Sequence, residues 1–301
     1  MDRSEFGWLE GALGQPVTDA TPADWGFRNR TEMVTLGDGT RVVVQRFRRR
    51  ADVERRMRVL DALRDPAAAK EIPIPSIRTA DADADPPWIV FEELPGTPAA
   101  EEVTPTSSQL PALAHSMGAL LAAFSGLHCP DLELDDSWAR PRYLAARADA
   151  WAECLAPALT PDQITTVEDV LDDLPDLFDG RPAVLAHGDF APMNILAEGA
   201  KITGLVDFES VRLADPLFDV AWWAWSVSFA GPEVMAQAWP AFLQGLGMTT
   251  VDSALAQRIR YLQLVRMLEM LADHDLAPDV WRTVHDRLAR TLTALSGGSR
   301  H

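Results

Sequence analysis

The sequence predicts an α+β fold of two lobes: a small β-rich N-terminal lobe (1–95) and a larger, mainly helical C-terminal lobe (96–301). Three observations carry this. Before Gly96, short apolar alternations flank strong turn signals. After it, long segments repeat apolar residues at helical spacing. Between them lie Pro95-Gly96 and a polar, Pro- and Thr-containing link at 98–108.

Residues 30–47 read as a β-hairpin, because alternating apolar residues flank Gly37-Asp38-Gly39. Residues 51–64 read as a helix with Val53, Met57, Leu60 and Leu63 on one face. The prolines of IPIPSIRTA suit an edge strand or a turn. WIVFEEL at 88–94 is a further apolar run. Helices follow at about 108–128, 141–157 and 162–176. Two short strands, 183–187 and 202–208, interrupt them. Helices resume at about 217–230, 233–246, 252–273 and 279–295, and SGGSRH reads as an irregular tail.

The bulk properties narrow the function classes. A 301-residue chain can bury a real core. The net charge of -18 disfavours nucleic acid and anionic membranes as partners. It serves solubility or attracts cationic ligands. Cys129 and Cys154 stand apart, with no disulfide framework or zinc spacing around them. MDRSEFGWLEG has no basic start before an apolar core, so no leader is expected, and no apolar run is long enough to span a bilayer. The expected location is cytoplasmic.

The chemistry concentrates in HGDFAPMN, residues 187–194. Asp189 follows a β-like stretch, and Gly188 and Pro192 keep the segment out of regular structure. Asn194 lies five residues on, and the next strand delivers Asp207 in VDFE. One carboxylate able to accept a hydroxyl proton, with an amide and a second carboxylate able to hold Mg²⁺, is what phosphoryl transfer needs. Taken singly, each residue would also serve as an ordinary turn former.

HGDFAPMNIL and GLVDFESVRLADPLFDVA together resemble the signature of the aminoglycoside phosphotransferase (phosphotransferase enzyme) family. The resemblance implies a protein-kinase-like fold. It implies Asp189 as catalytic base, and Asn194 and Asp207 as ligands of Mg²⁺. Glu209 then helps at the metal or points to water. Asp215 and Asp219 brace the loop, or serve only as helix cap and first-turn charge.

The resemblance extends to the N-terminal lobe and to the nucleotide, ATP or GTP. Gly26 and Asn29 fall in the loop over the phosphates. Arg46, ending VVVQR, stands where a kinase places its phosphate-binding Lys, and Glu54 where the helix Glu pairs with it. Phe91 sits behind the base, with the Glu92 carbonyl and the Leu94 amide on its edge. No GxxxxGK[ST] loop is present. Acceptor candidates are Glu209, Trp222, Trp225, Tyr261, Arg266, Glu269 and Asp273, with core packing the alternative for the Trp pair.

The resemblance thus implies a kinase for a hydroxyl of an antibiotic or related small molecule, a monomer or homodimer. The alternatives are a metabolic kinase for choline, homoserine or a sugar, and a nucleotide-binding pseudokinase. The intact Asp189, Asn194 and Asp207 set weighs against the last.

Overall fold

A computed structural model describes residues 6–23, 30–248 and 253–298. Asn29 and Gly26 lie outside them. Contact clustering divides the chain into two compact units. One comprises Met1–Glu101, Leu127–Leu132 and Met193–Glu209; the other holds the rest.

The first unit opens with α1 (Gly7–Leu13), whose Glu10 carboxylate accepts from the Val17 amide at 2.8 Å. β1 (Val17–Pro22) follows, then the expected hairpin of β2 (Arg30–Leu36) and β3 (Arg41–Arg46). Its turn is held by the Asp38 carboxylate, which accepts from Thr40 N at 2.8 Å. α2 (Arg50–Ala69) is longer than its apolar face suggests. β4 (Ile77–Asp81) and β5 (Trp88–Glu92) complete an antiparallel sheet of order β1-β2-β3-β5-β4.

One face of this sheet is closed by α1. Phe6 and Leu9 join Val17, Val34, Leu36, Val42, Val44, Trp88 and Val90 in one buried cluster. Fully burying such a side chain is worth about 1.5–3 kcal/mol. This cluster explains why α1 forms although seven residues are too few for a stable isolated helix.

β6 (Thr97–Pro98) ends the N-terminal run. The second unit then supplies α3 (Leu110–Ser125), α4 (Pro141–Leu155), α5 (Pro161–Leu177) and β7 (Val184–Ala186). Thr160 and Gln163 form a capping box at the start of α5. The chain returns to the first unit as the hairpin β8 (Ile195–Glu198) and β9 (Lys201–Leu205), with β6 on its edge.

β10 (Arg212–Ala214) pairs with β7, and α6 (Phe218–Val227), α7 (Pro232–Gly245), α8 (Ser253–Leu271) and α9 (Pro278–Gly298) complete the second unit. α9 continues through residues expected in the irregular tail. α3 packs along α7 with its backbone close, since a Cβ on Gly118 would strike the Phe242 carbonyl. Among the described residues no helix is long and apolar enough to cross a membrane.

Candidate active site

The loop after β7 is built by a carboxylate beneath it. Asp219, in the first turn of α6, is buried. Its two oxygens accept from the backbone amides of His187 at 2.7 Å and Gly188 at 3.0 Å. Burial pushes this carboxyl above its ordinary range, against the neighbouring His187 and the two amide donors. Gly188 adopts φ +85° with the Ser210 backbone where a Cβ would stand. Gly188→Ala is therefore expected to cost at least about 2 kcal/mol, read as a lowered unfolding midpoint. Asp215 is also buried. It pairs with Arg181 and accepts from the Leu217 amide at 2.8 Å.

The anchored loop presents Asp189, whose Oδ1 accepts from the Trp222 indole Nε1–H at 2.6 Å. The Trp222 ring stacks on Trp225 at 4.5 Å and 12°. The Arg266 guanidinium lies over the Trp222 ring at 5.3 Å. Arg266 in turn pairs with Glu269, whose Oε1 accepts from Arg212 Nη1 at 3.1 Å. Trp138 Nε1 also donates to Oε1, at 3.4 Å. Burial alone would raise the Glu269 carboxyl, but Arg266 and Arg212 outweigh it and hold it at about 2.

Of the expected acceptor residues, the structure joins Trp222, Trp225, Arg266 and Glu269 to Asp189 in one network. Both oxygens of Glu269 are engaged by internal donors. The Tyr261 hydroxyl donates to Asp173 Oδ2 at 3.0 Å, on the α5 side of α8. Tyr261 lies five positions before Arg266, which turns it about 140° around the helix. Asp273 shapes a turn, its Oδ1 accepting from Asp275 N at 3.0 Å.

In the first unit, the β8–β9 hairpin brings Asn194 and Asp207 to its open end. Ile195 pairs with Leu205, and the Asn194 carbonyl accepts from Val206 N at 2.9 Å. Asp207 lies past the strand with φ +65°, a conformation uncommon outside glycine. Its Oδ1 accepts from Arg56 Nη2 at 3.0 Å, and the same nitrogen lies 3.1 Å from Glu209 Oε1. Arg55 donates to the Glu209 carbonyl. Glu209 is thus grouped with Asp207.

These residues fit a hard ion that takes most of its ligands from phosphate and water. The Asp207 side chain is 38% exposed and stands beside an amide residue. Among the described residues, no group of three or more His, Cys, Asp or Glu could hold a metal by itself.

The expected nucleotide residues divide. Phe91 is buried on β5 opposite Val43, and the exposed Glu92 gives its amide to the Ser76 carbonyl at 2.9 Å. Leu94 lies against Gly204 of β9, where an added Cβ would approach its Cδ1 to 3.0 Å. Arg46 and Glu54 are not paired with each other. Arg46 Nη2 is 3.2 Å from Glu32 Oε2, and Glu54 pairs with Arg50 at 2.6 Å, one helical turn away.

Residues 19–254 match the family described as the phosphotransferase enzyme family. The chain belongs to that family. Among family relatives, it is 27% identical over 198 residues to the viomycin phosphotransferase of Streptomyces vinaceus, covering 60% of this chain and 63% of that one. It is 31% identical over 163 residues to the aminoglycoside 3'-phosphotransferase of Streptomyces fradiae, covering 50% and 57%. The chain thus spans less than two thirds of the length of these curated relatives.

Solved structures match nearly end to end. A thermostable mutant of aminoglycoside phosphotransferase APH(4)-Ia, in ternary complex with ADP and hygromycin B, gives a TM-score of 0.72 at 18% identity, with 98% of each chain covered. A GDP and kanamycin complex of an APH(2") enzyme gives 0.67 at 13%, covering 98% of this chain and 100% of that one. At such identities the likeness shows the fold, which is α+β and protein-kinase-like, as the sequence predicts.

Proposed function

We propose that this phosphotransferase-family chain moves the γ-phosphoryl group of ATP or GTP to a hydroxyl of an antibiotic or related natural product, in resistance or self-protection. The observation that carries the reading is the anchored loop: Asp219 holds the His187 and Gly188 amides, and Trp222 holds the Asp189 carboxylate. A carboxylate so fixed can orient an acceptor hydroxyl and take its proton. Residues 1–95 serve the nucleotide, and 96–301 serve catalysis and the acceptor. The protein works in the cytoplasm as a monomer or homodimer.

Asn194 and Asp207 would hold Mg²⁺, which when bound offsets phosphate charge. Around it, this chain's residues contribute positioning. The hairpin sets Asn194 beside the strand end, and Arg56 orients the Asp207 and Glu209 carboxylates. Phe91 and Leu94 offer apolar surface to the base.

The relatives named for viomycin and aminoglycosides, and the nucleotide-bound fold relatives, support this acceptor and donor class. The test is a panel of antibiotics and metabolites incubated with ATP or GTP and read by mass. A gain of one phosphate on an antibiotic is the expected result. A gain only on choline, homoserine or a sugar would transfer the protein to metabolism. Separately, Asp207→Ala is expected to remove the Mg²⁺-dependent part of nucleotide binding, measured by calorimetry. Unchanged binding would take Asp207 out of the metal site.

A further inference from the structure

The sheet register separates residues expected to meet one nucleotide. Antiparallel partners share a face, and successive residues alternate between faces. Val43 pairs with Phe91 and Gln45 with Ile89, so these four share one face. Val44 pairs with Val90 and Arg46 with Trp88, which puts them on the other. That second face is the one α1 covers. The Arg46 guanidinium lies over the rings of Phe6, at 5.9 Å, and Trp8, at 5.4 Å, and pairs with Glu32. Arg46 therefore turns away from Phe91. The residue that ends the Phe91 face of β3 is Gln45, which carries no charge.

A positive charge does reach Asp207, but from α2. The Arg56 side chain is only 5% exposed, and its Nη2 touches both Asp207 and Glu209. Its guanidinium lies 5.8 Å from the Phe47 ring centre, directly after β3. A guanidinium has five N–H donors in a planar fork, so two carboxylates on one nitrogen do not exhaust it. Arg55, the residue before Arg56, donates to the Glu209 carbonyl, so two guanidiniums stand against the two carboxylates here.

We propose that Arg56 supplies, from helix α2, the positive charge for the phosphate end of the nucleotide, while Gln45 occupies the strand position and Arg46 is a structural ion pair. This rests on the nucleotide-dependent reading above. It changes which residue does the work: the charge has moved from strand to helix, and it doubles as the brace for Asp207 and Glu209.

The test compares ADP with adenosine by calorimetry in EDTA, so that no metal contributes. Wild type is expected to prefer ADP. Arg56→Gln should narrow that preference about 10–100-fold, the worth of a charge-assisted hydrogen bond, and leave adenosine binding unchanged. Arg56→Glu alone should abolish the preference. The double variant Gln45→Lys with Arg56→Glu should recover much of it, because position 45 shares the face of Phe91. Equal weakening of ADP and adenosine by Arg56→Gln would make Arg56 merely structural and overturn the proposal. So would loss of the preference in Arg46→Gln but not in Arg56→Gln. A wild-type protein that binds neither compound would instead overturn the nucleotide reading itself.

Discussion

Asp189→Asn is expected to lower phosphoryl transfer by about 10²–10⁴-fold while leaving nucleotide affinity intact, the range for loss of a general base. The substitution keeps the shape of the side chain and an oxygen for the Trp222 N–H. It removes the charge that would accept a hydroxyl proton. Trp222→Phe is the companion. It keeps an aromatic ring for Trp225 and Arg266 but deletes the 2.6 Å donor to Asp189. Transfer should fall about tenfold, in line with one hydrogen bond to a charged group. The two effects should not add: in an Asp189→Asn background, Trp222→Phe should change little, because the indole acts through that carboxylate. Rates measured with saturating nucleotide decide the matter. Full activity in Asp189→Asn sinks the base assignment, and additive losses sink the coupling.

The contrast between Asp189 and Trp222 shows what a sequence carries. The loop at HGDFAPMN and the strand before VDFE were legible because the pattern is local: a short loop, an amide five residues on, a following strand. The indole donor lies 33 residues away on a helix whose Trp residues read equally well as core, and only packing decides that one of them aims its N–H at Asp189. The hairpin 30–47 was legible from alternation, and the long helices from their apolar faces. α1 was not, because its seven residues owe their helix to the sheet they cover. Arg46 illustrates the sharpest limit. In a strand, a displacement of one residue reverses the face. Sequence reading found a cation at the end of β3, but only the pairing of Arg46 with Trp88 and Gln45 with Ile89 says which way each points. Glu54 pairs with Arg50, because on a helix the partner one turn away is the nearest.

Glu269→Gln is expected to cost about 3–5 kcal/mol, because it leaves the Arg212 and Arg266 guanidiniums without their shared carboxylate in a mostly buried place. Burial already pushes Arg212 below its ordinary range, so it tolerates little further loss. The pH dependence follows from the carboxyl, held at about 2 against an ordinary 4.5. A carboxyl with a depressed folded-state value stabilises fully above its unfolded value and loses that contribution as pH falls towards the folded one. Wild type should therefore lose about 3 kcal/mol from this group between roughly pH 4.5 and 2, and Glu269→Gln should lack that slope. Thermal unfolding across this window measures both effects. The same variant distinguishes an internal role from the acceptor contact that sequence suggests. Glu269 holds Arg266, Arg266 covers Trp222, and Trp222 donates to Asp189. An internal role lowers the unfolding midpoint and the turnover number together. A direct acceptor contact raises the acceptor KM in a protein as stable as wild type, and that outcome would place Glu269 in the acceptor site.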